Sequence, residues 1–198
     1  MPHGTRAIIT PNHSSWLDAQ LLGPFLLEKT YFMAKKELLK IPVFGVFMEM
    51  LNAVSIDRDY VDIAGLKRAM NLLKNECHLV IFPEGTIPGE EELTRQDIEP
   101  ETGLLPGNPG PVILAIRTRS PIIPVGIINT GIALPPETFP LLKSLPPWEA
   151  PKIEINFGEP VYYSGYYNKK ITEEELEMLT GKLMIQIGKL AGKVQVIP

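Results

Sequence analysis

Three short apolar runs, residues 7–10, 78–82 and 122–128, constrain this chain more than any other feature of it. Each is only strand length, and stretches with helical periodicity lie between them. Apolar runs that do not alternate with polar residues suit strands buried on both faces. Further strands are expected at 30–34 and 54–56, with another core strand at 152–157. Residues 18–27 read as a helix interrupted at Gly23-Pro24, and 42–51 as an apolar helical segment. Residues 60–75 read as a helix capped by Asp59, with Ile63, Leu66, Met70 and Leu73 on one face. A shorter helix is expected at 111–118, with Pro111 near its first position. Thr172 and Glu175 form a capping box that opens the last helix, whose stripe is Leu176, Leu179, Leu183, Ile187 and Leu190. Alternating strands and helices predict an α/β fold: a central, largely parallel or mixed sheet flanked by helices, in a single domain over 1–198.

Sites in such sheets gather where strands end at their carboxyl side. Asn12-His13-Ser14-Ser15-Trp16-Leu17-Asp18 follows the first run, and Phe82-Pro83-Glu84-Gly85-Thr86 ends the second. If those runs are parallel strands, the two motifs share one crevice. Histidine titrates near neutrality and suits the role of general base. A carboxylate on its far ring nitrogen fixes the tautomer and stabilises the imidazolium. Asp18, in the first turn of a helix, can fold back to His13 in that way. Taken alone, the spacing is also what an aspartate cap beside a surface histidine would give. The Pro-Glu-Gly turn, again taken alone, is an ordinary β-turn with proline second.

Charge and composition exclude several classes. A net charge of −4 argues against a nucleic-acid partner. Residues 84 to 101 hold seven acids and one base, a local net of −6, so the rest of the chain is friendlier to an anion. One cysteine, Cys77, excludes an internal disulfide and suits a reducing compartment. No run approaches the roughly 18 apolar residues of a spanning helix, and the first ten residues lack a signal-peptide core. His78 beside Cys77 reads as a packed strand histidine, since the pair lacks zinc-site spacing. Trp16 is expected to pack under the His13 loop. Trp148 reads as a loop anchor against the sheet or, less simply, as a membrane-interface residue.

Together the motifs resemble those of the glycerolipid acyltransferases, the family that includes 1-acyl-sn-glycerol-3-phosphate acyltransferase. The resemblance runs through four ordered blocks: Asn12, His13 and Asp18; Ile56-Asp57-Arg58; Phe82 to Thr86; and Pro121-Ile122-Ile123-Pro124-Val125. Ala34-Lys35-Lys36-Glu37-Leu38 followed by Ile41-Pro42 is also similar to the family's connecting sequence. The resemblance implies a glycerol-phosphate acyltransferase-like fold and transfer of an acyl group from an acyl thioester to the free hydroxyl of 1-acyl-glycerol-3-phosphate. The thioester would be acyl-CoA or acyl carrier protein, with no metal and no bound cofactor. It implies His13 and Asp18 as catalytic residues, and Arg58, Lys36, Glu84, Gly85 and Thr86 as substrate-binding, with Glu84 also positioning the site rather than transferring the proton. A guanidinium suits phosphate independently, because it pairs bidentately. Arg58 could instead bridge Asp57 or Asp59, and Lys36 could be a solvated lysine. Backbone amides of the 83–86 turn are candidate oxyanion donors.

Four positions depart from the family pattern: Asn52 where glycine is usual, Ser55, and Ile87 and Asn108 where a basic residue is common. The lost basic residues favour, as the rival enzyme reading, another lysophospholipid or alcohol acceptor. Two further rivals are a non-catalytic lipid-binding protein of the same fold and a hydrolase that passes the acyl group to water. A peripheral protein on the cytoplasmic face of a membrane is expected. Residues 21–25 and 44–51 supply an apolar face, or simply core, and Lys29, Lys35, Lys36 and Lys40 favour anionic lipid.

Overall fold

The computed structural model describes residues 6–26, 29–36, 46, 51–56, 63–88, 97–135, 148–149 and 151–194. Its centre is a six-stranded sheet of order β3-β2-β4-β1-β5-β6. The strands are β1 (Ala7–Pro11), β2 (Thr30–Lys35), β3 (Ala53–Ile56), β4 (His78–Val80), β5 (Ile122–Ile128) and β6 (Glu154–Phe157). The first five run parallel, and β6 joins β5 antiparallel. Helices α1 (Asp18–Leu22), α2 (Ile63–Lys74), α3 (Gly110–Thr118), α4 (Thr130–Ala133) and α5 (Glu173–Leu190) complete the frame.

Why the three apolar runs lack alternation is visible in the core. Successive residues enter opposite layers: Ile8, Leu79 and Ile122 meet Leu73, Ala115, Leu183 and Ile187 of α2, α3 and α5. Ile9, Val80 and Ile123 meet Leu22 of α1 on the other face. Each fully buried isoleucine or leucine contributes about 1.5–3 kcal/mol relative to exposure. Gly126 of β5 lies against the α5 backbone at Leu190, where a Cβ would collide with main chain, so glycine sets how closely helix and sheet approach.

Several expectations shift. Residues 18–27 become α1 followed by a 3-10 turn at Gly23–Phe25, because Pro24 cannot continue the α pattern. On α2 the buried line is Gly65, Ala69 and Leu73, while Ile63 is 59% exposed. Small residues let the helix lie close to the sheet, and the first-turn isoleucine falls outside that contact. The Asp59 cap lies outside the described residues, as does the 42–51 segment except for Val46 and Leu51. β6 is an edge strand with exposed ends rather than core, having β5 as its one neighbour among the described residues. Trp148 is 82% exposed and anchors nothing against the sheet. The capping box of α5 forms as expected: Thr172 accepts from the Glu175 amide, and Glu175 accepts in return from the Thr172 amide. No helix among the described residues is long and apolar enough to cross a membrane.

Candidate active site

Parallel pairing of β1 with β4, Ile9 opposite Val80, brings the loop after β1 beside the turn after β4. His13 and Asp18 meet there, Nδ1 lying 2.8 Å from Oδ2. The same Asp18 oxygen accepts the Ser14 amide at 2.7 Å and the Ser15 amide at 2.9 Å. One carboxylate oxygen therefore folds the loop and orients the ring. A carboxylate accepts only, so the Nδ1 proton stays on the imidazole and Nε2 is left as the basic nitrogen. Asp18 is fully buried, whereas the His13 side chain is 18% exposed and within reach of a substrate. Asp18 Oδ1 has no hydrogen-bond partner among the described residues.

The loop is braced from two more directions. Asn12 extends the β1–β5 ladder with its side chain. Its Oδ1 accepts the Ile127 amide at 2.6 Å and its Nδ2 donates to the Ile127 carbonyl at 3.0 Å. Ser15 Oγ donates to the Leu134 carbonyl at 2.7 Å, beyond α4. From the β4 side, the Phe82 ring stacks on the imidazole, centroids 4.0 Å apart. Trp16, expected to pack under this loop, is half-buried.

Phe82 to Gly85 is a β-turn closed by the Gly85 amide on the Phe82 carbonyl at 3.1 Å. Gly85 adopts φ +78°, a region that glycine enters without strain. The turn faces Glu84 inward at 8% exposure. Its Oε1 accepts the His13 amide at 2.7 Å, and its Oε2 accepts the Leu105 amide at 3.0 Å. Burial pushes the Glu84 pKa from 4.5 to about 7; the two amides and the His13 charge pull it down, and the Asp18 charge adds to the rise. Thr86 is buried at 4%. The amides of 83–86 are poorer oxyanion donors than expected, because proline has no N–H and that of Gly85 closes the turn.

Of the remaining expected residues, only some fall within the described part of the chain. Lys36 is exposed just past β2, whose Lys35 pairs with Ile56 of β3. Arg58 follows Ile56 by two positions and lies outside the described residues. Ile87, one of the departures, is fully buried. Asn108, another, accepts the Gly110 amide at the start of α3 through Oδ1 at 2.8 Å. Asn52 adopts φ +51°, so asparagine stands where the backbone would suit glycine. Sequence reasoning missed the bracing by Phe82 and by the Leu105 amide. Phe82 could have been suspected from its place at the head of the Pro-Glu-Gly turn; nothing local marks Leu105.

A buried carboxylate holds a partly accessible imidazole at the carboxyl edge of a parallel sheet, an arrangement whose chemistry suits proton transfer. Residues 1–128 match the Acyltransferase family model, and the chain belongs to that family. It is 35% identical over 133 residues to a 1-acyl-sn-glycerol-3-phosphate acyltransferase of Cocos nucifera, covering 65% of this chain and 39% of that protein. It is 26% identical over 195 residues to the Bacillus subtilis enzyme of the same name, covering 98% of this chain and 85% of the relative. The fold is also similar to the crystal structure of the 1-acyl-sn-glycerophosphate acyltransferase of Thermotoga maritima. The TM-score is 0.61 and the identity 24%, over 98% of this chain and 69% of that one.

Proposed function

We propose that the chain transfers a fatty acyl group from acyl-CoA or acyl carrier protein to the free hydroxyl of 1-acyl-glycerol-3-phosphate, giving phosphatidic acid. His13 Nε2 removes the hydroxyl proton as the oxygen attacks the thioester carbonyl, and Asp18 stabilises the imidazolium that forms. The substrate alcohol is the nucleophile, so no serine or cysteine is needed, and neither a metal nor an organic cofactor takes part. Arg58 and Lys36 hold the acceptor phosphate, while Gly85 and Thr86 shape the turn beside it. The observation that carries this reading is the 2.8 Å contact between His13 Nδ1 and Asp18 Oδ2. The names of the relatives support the choice of acceptor. Exposed Phe25 and Val46, close in sequence to Lys29 and Lys36, support work at an anionic membrane surface.

A donor-by-acceptor matrix with purified protein is the test. Both thioesters are offered with 1-acyl-glycerol-3-phosphate, other lysophospholipids, simple alcohols and water alone. Phosphatidic acid should form fastest and should disappear in His13→Ala while lipid still binds. Thioester loss without an acceptor, or equal rates in wild type and His13→Ala, would refute the mechanism.

A further inference from the structure

We infer that Glu84 is a positioning residue, a two-handed clasp that ties the main chain of His13 to the main chain of Leu105 and so fixes where the imidazole stands. The inference rests on His13 being the base. Its support is the contact set itself. Each oxygen accepts one backbone amide, from segments that lie 71 and 21 residues away in sequence. The carboxylate is buried.

The turn that carries Glu84 is itself anchored at Phe82 and Pro83. Phe82 stacks on the His13 ring, and the Pro83 carbonyl accepts the Asn108 amide at 2.8 Å. Leu105 is likewise fixed, being fully buried at the end of a loop closed by the Glu99 amide on the Leu104 carbonyl at 2.8 Å. Glu84 thus joins two firm pieces of backbone. Only an acceptor with two free oxygens can do this. An ionised carboxylate offers both, while a carboxamide of the same shape must turn its N–H₂ toward one of the two amides. The donor–donor contact would push either His13 or Leu105 away.

Glu84→Gln tests the clasp. The expected result is a kcat lower by about 100-fold, the size of effect an ångström of misplacement produces, with the KM of donor and acceptor within about twofold of wild type. Wild-type kcat with a raised acceptor KM would overturn the inference and make Glu84 a substrate ligand. A second measurement needs neither a variant nor activity: NMR of the wild-type protein across pH, following the Glu84 carboxyl carbon and the His13 and Leu105 amide protons. The charged groups that act on Glu84 are His13 and Asp18, so both are followed in the same titration. All three reporters should share one midpoint; separate midpoints for the two amides would overturn the clasp. If these reporters move together in a protein that transfers no acyl group, the clasp stands and the proposed activity falls.

Discussion

His13 and His78 occupy opposite ends of neighbouring strands. His78 opens β4, level with Ala7 at the start of β1, whereas His13 lies just past the end of β1. Both are held in place, but His78 is 2% exposed and the His13 side chain 18%. At the amino edge the histidine is enclosed by the sheet and by residues packed against it. At the carboxyl edge the chain leaves the ladder, and its amides and side chains are organised around Asp18, Asn12 and Glu84 instead. What sets His13 apart is access together with the Asp18 carboxylate on its Nδ1.

Exchanging both histidines for alanine tests that contrast most directly. His13→Ala should lower the transfer rate by about 10³-fold, within the range for a lost general base, with little change in thermal stability. His78→Ala should do the reverse: transfer within about twofold of wild type, and a stability loss of about 1–3 kcal/mol in urea melts. A large rate loss in His78→Ala would erase the distinction between the two edges.

Asp18→Asn should have the next largest effect. One oxygen accepts the His13, Ser14 and Ser15 contacts, and the other has no partner among the described residues. An asparagine oxygen can take the first position and keep the tautomer. What is lost is the charge that stabilises the imidazolium, so the rate should fall by about 10²-fold, less than the about 10⁴-fold cost of a wrong tautomer in a comparable triad. A loss as large as that of His13→Ala would mean that the loop itself had collapsed, which the far-UV spectrum and melting temperature would reveal.

The fold and the His13–Asp18 pair were readable for a shared reason: both are written in short-range patterns. Unbroken apolar runs announce strands covered on two faces, and a histidine five positions before an aspartate at a strand exit needs only one helical turn to close. Asn12 and Glu84 sat inside recognisable motifs, yet their work depends on Ile127, 115 residues from Asn12, and on Leu105, 21 from Glu84. No local spacing encodes such pairings. The same limit explains Ile87 and Asn108. As departures from a basic pattern they suggested a different acceptor, but one is core and the other organises the start of α3, so their side chains do structural work. On α2 Leu66, Met70 and Leu73 pack on the core as expected, whereas Ile63 is exposed because the closest approach runs along Gly65 and Ala69.

Glu84 links the carboxyl-edge site to pH. Its pKa is about 7 in the fold against 4.5 for the free side chain, so the folded protein holds that proton more tightly than the unfolded chain. The resulting stabilisation is complete below about pH 4.5 and is lost as pH rises through 7. Urea melts of wild type and Glu84→Gln from pH 4 to 8 should show wild type losing stability relative to the variant over that interval. Transfer, which requires the ionised clasp and a neutral His13, should rise over the same interval. Parallel melts with no pH-dependent difference would detach Glu84 from this linkage.

The smallest effect belongs to the amino edge again. Asn52 precedes β3 at φ +51°, and its Nδ2 donates to the Thr30 carbonyl at 3.3 Å. Glycine tolerates that backbone without strain but gives up the long hydrogen bond, so Asn52→Gly should change stability by less than about 1 kcal/mol. Asn52→Ala keeps a Cβ in the left-handed region and also loses the bond, which should cost about 1–2 kcal/mol. Neither should alter the transfer rate, since Asn52 stands where β3 begins and the His13 loop where β1 ends. A rate change in either variant at constant stability would show that the two edges are coupled through the sheet.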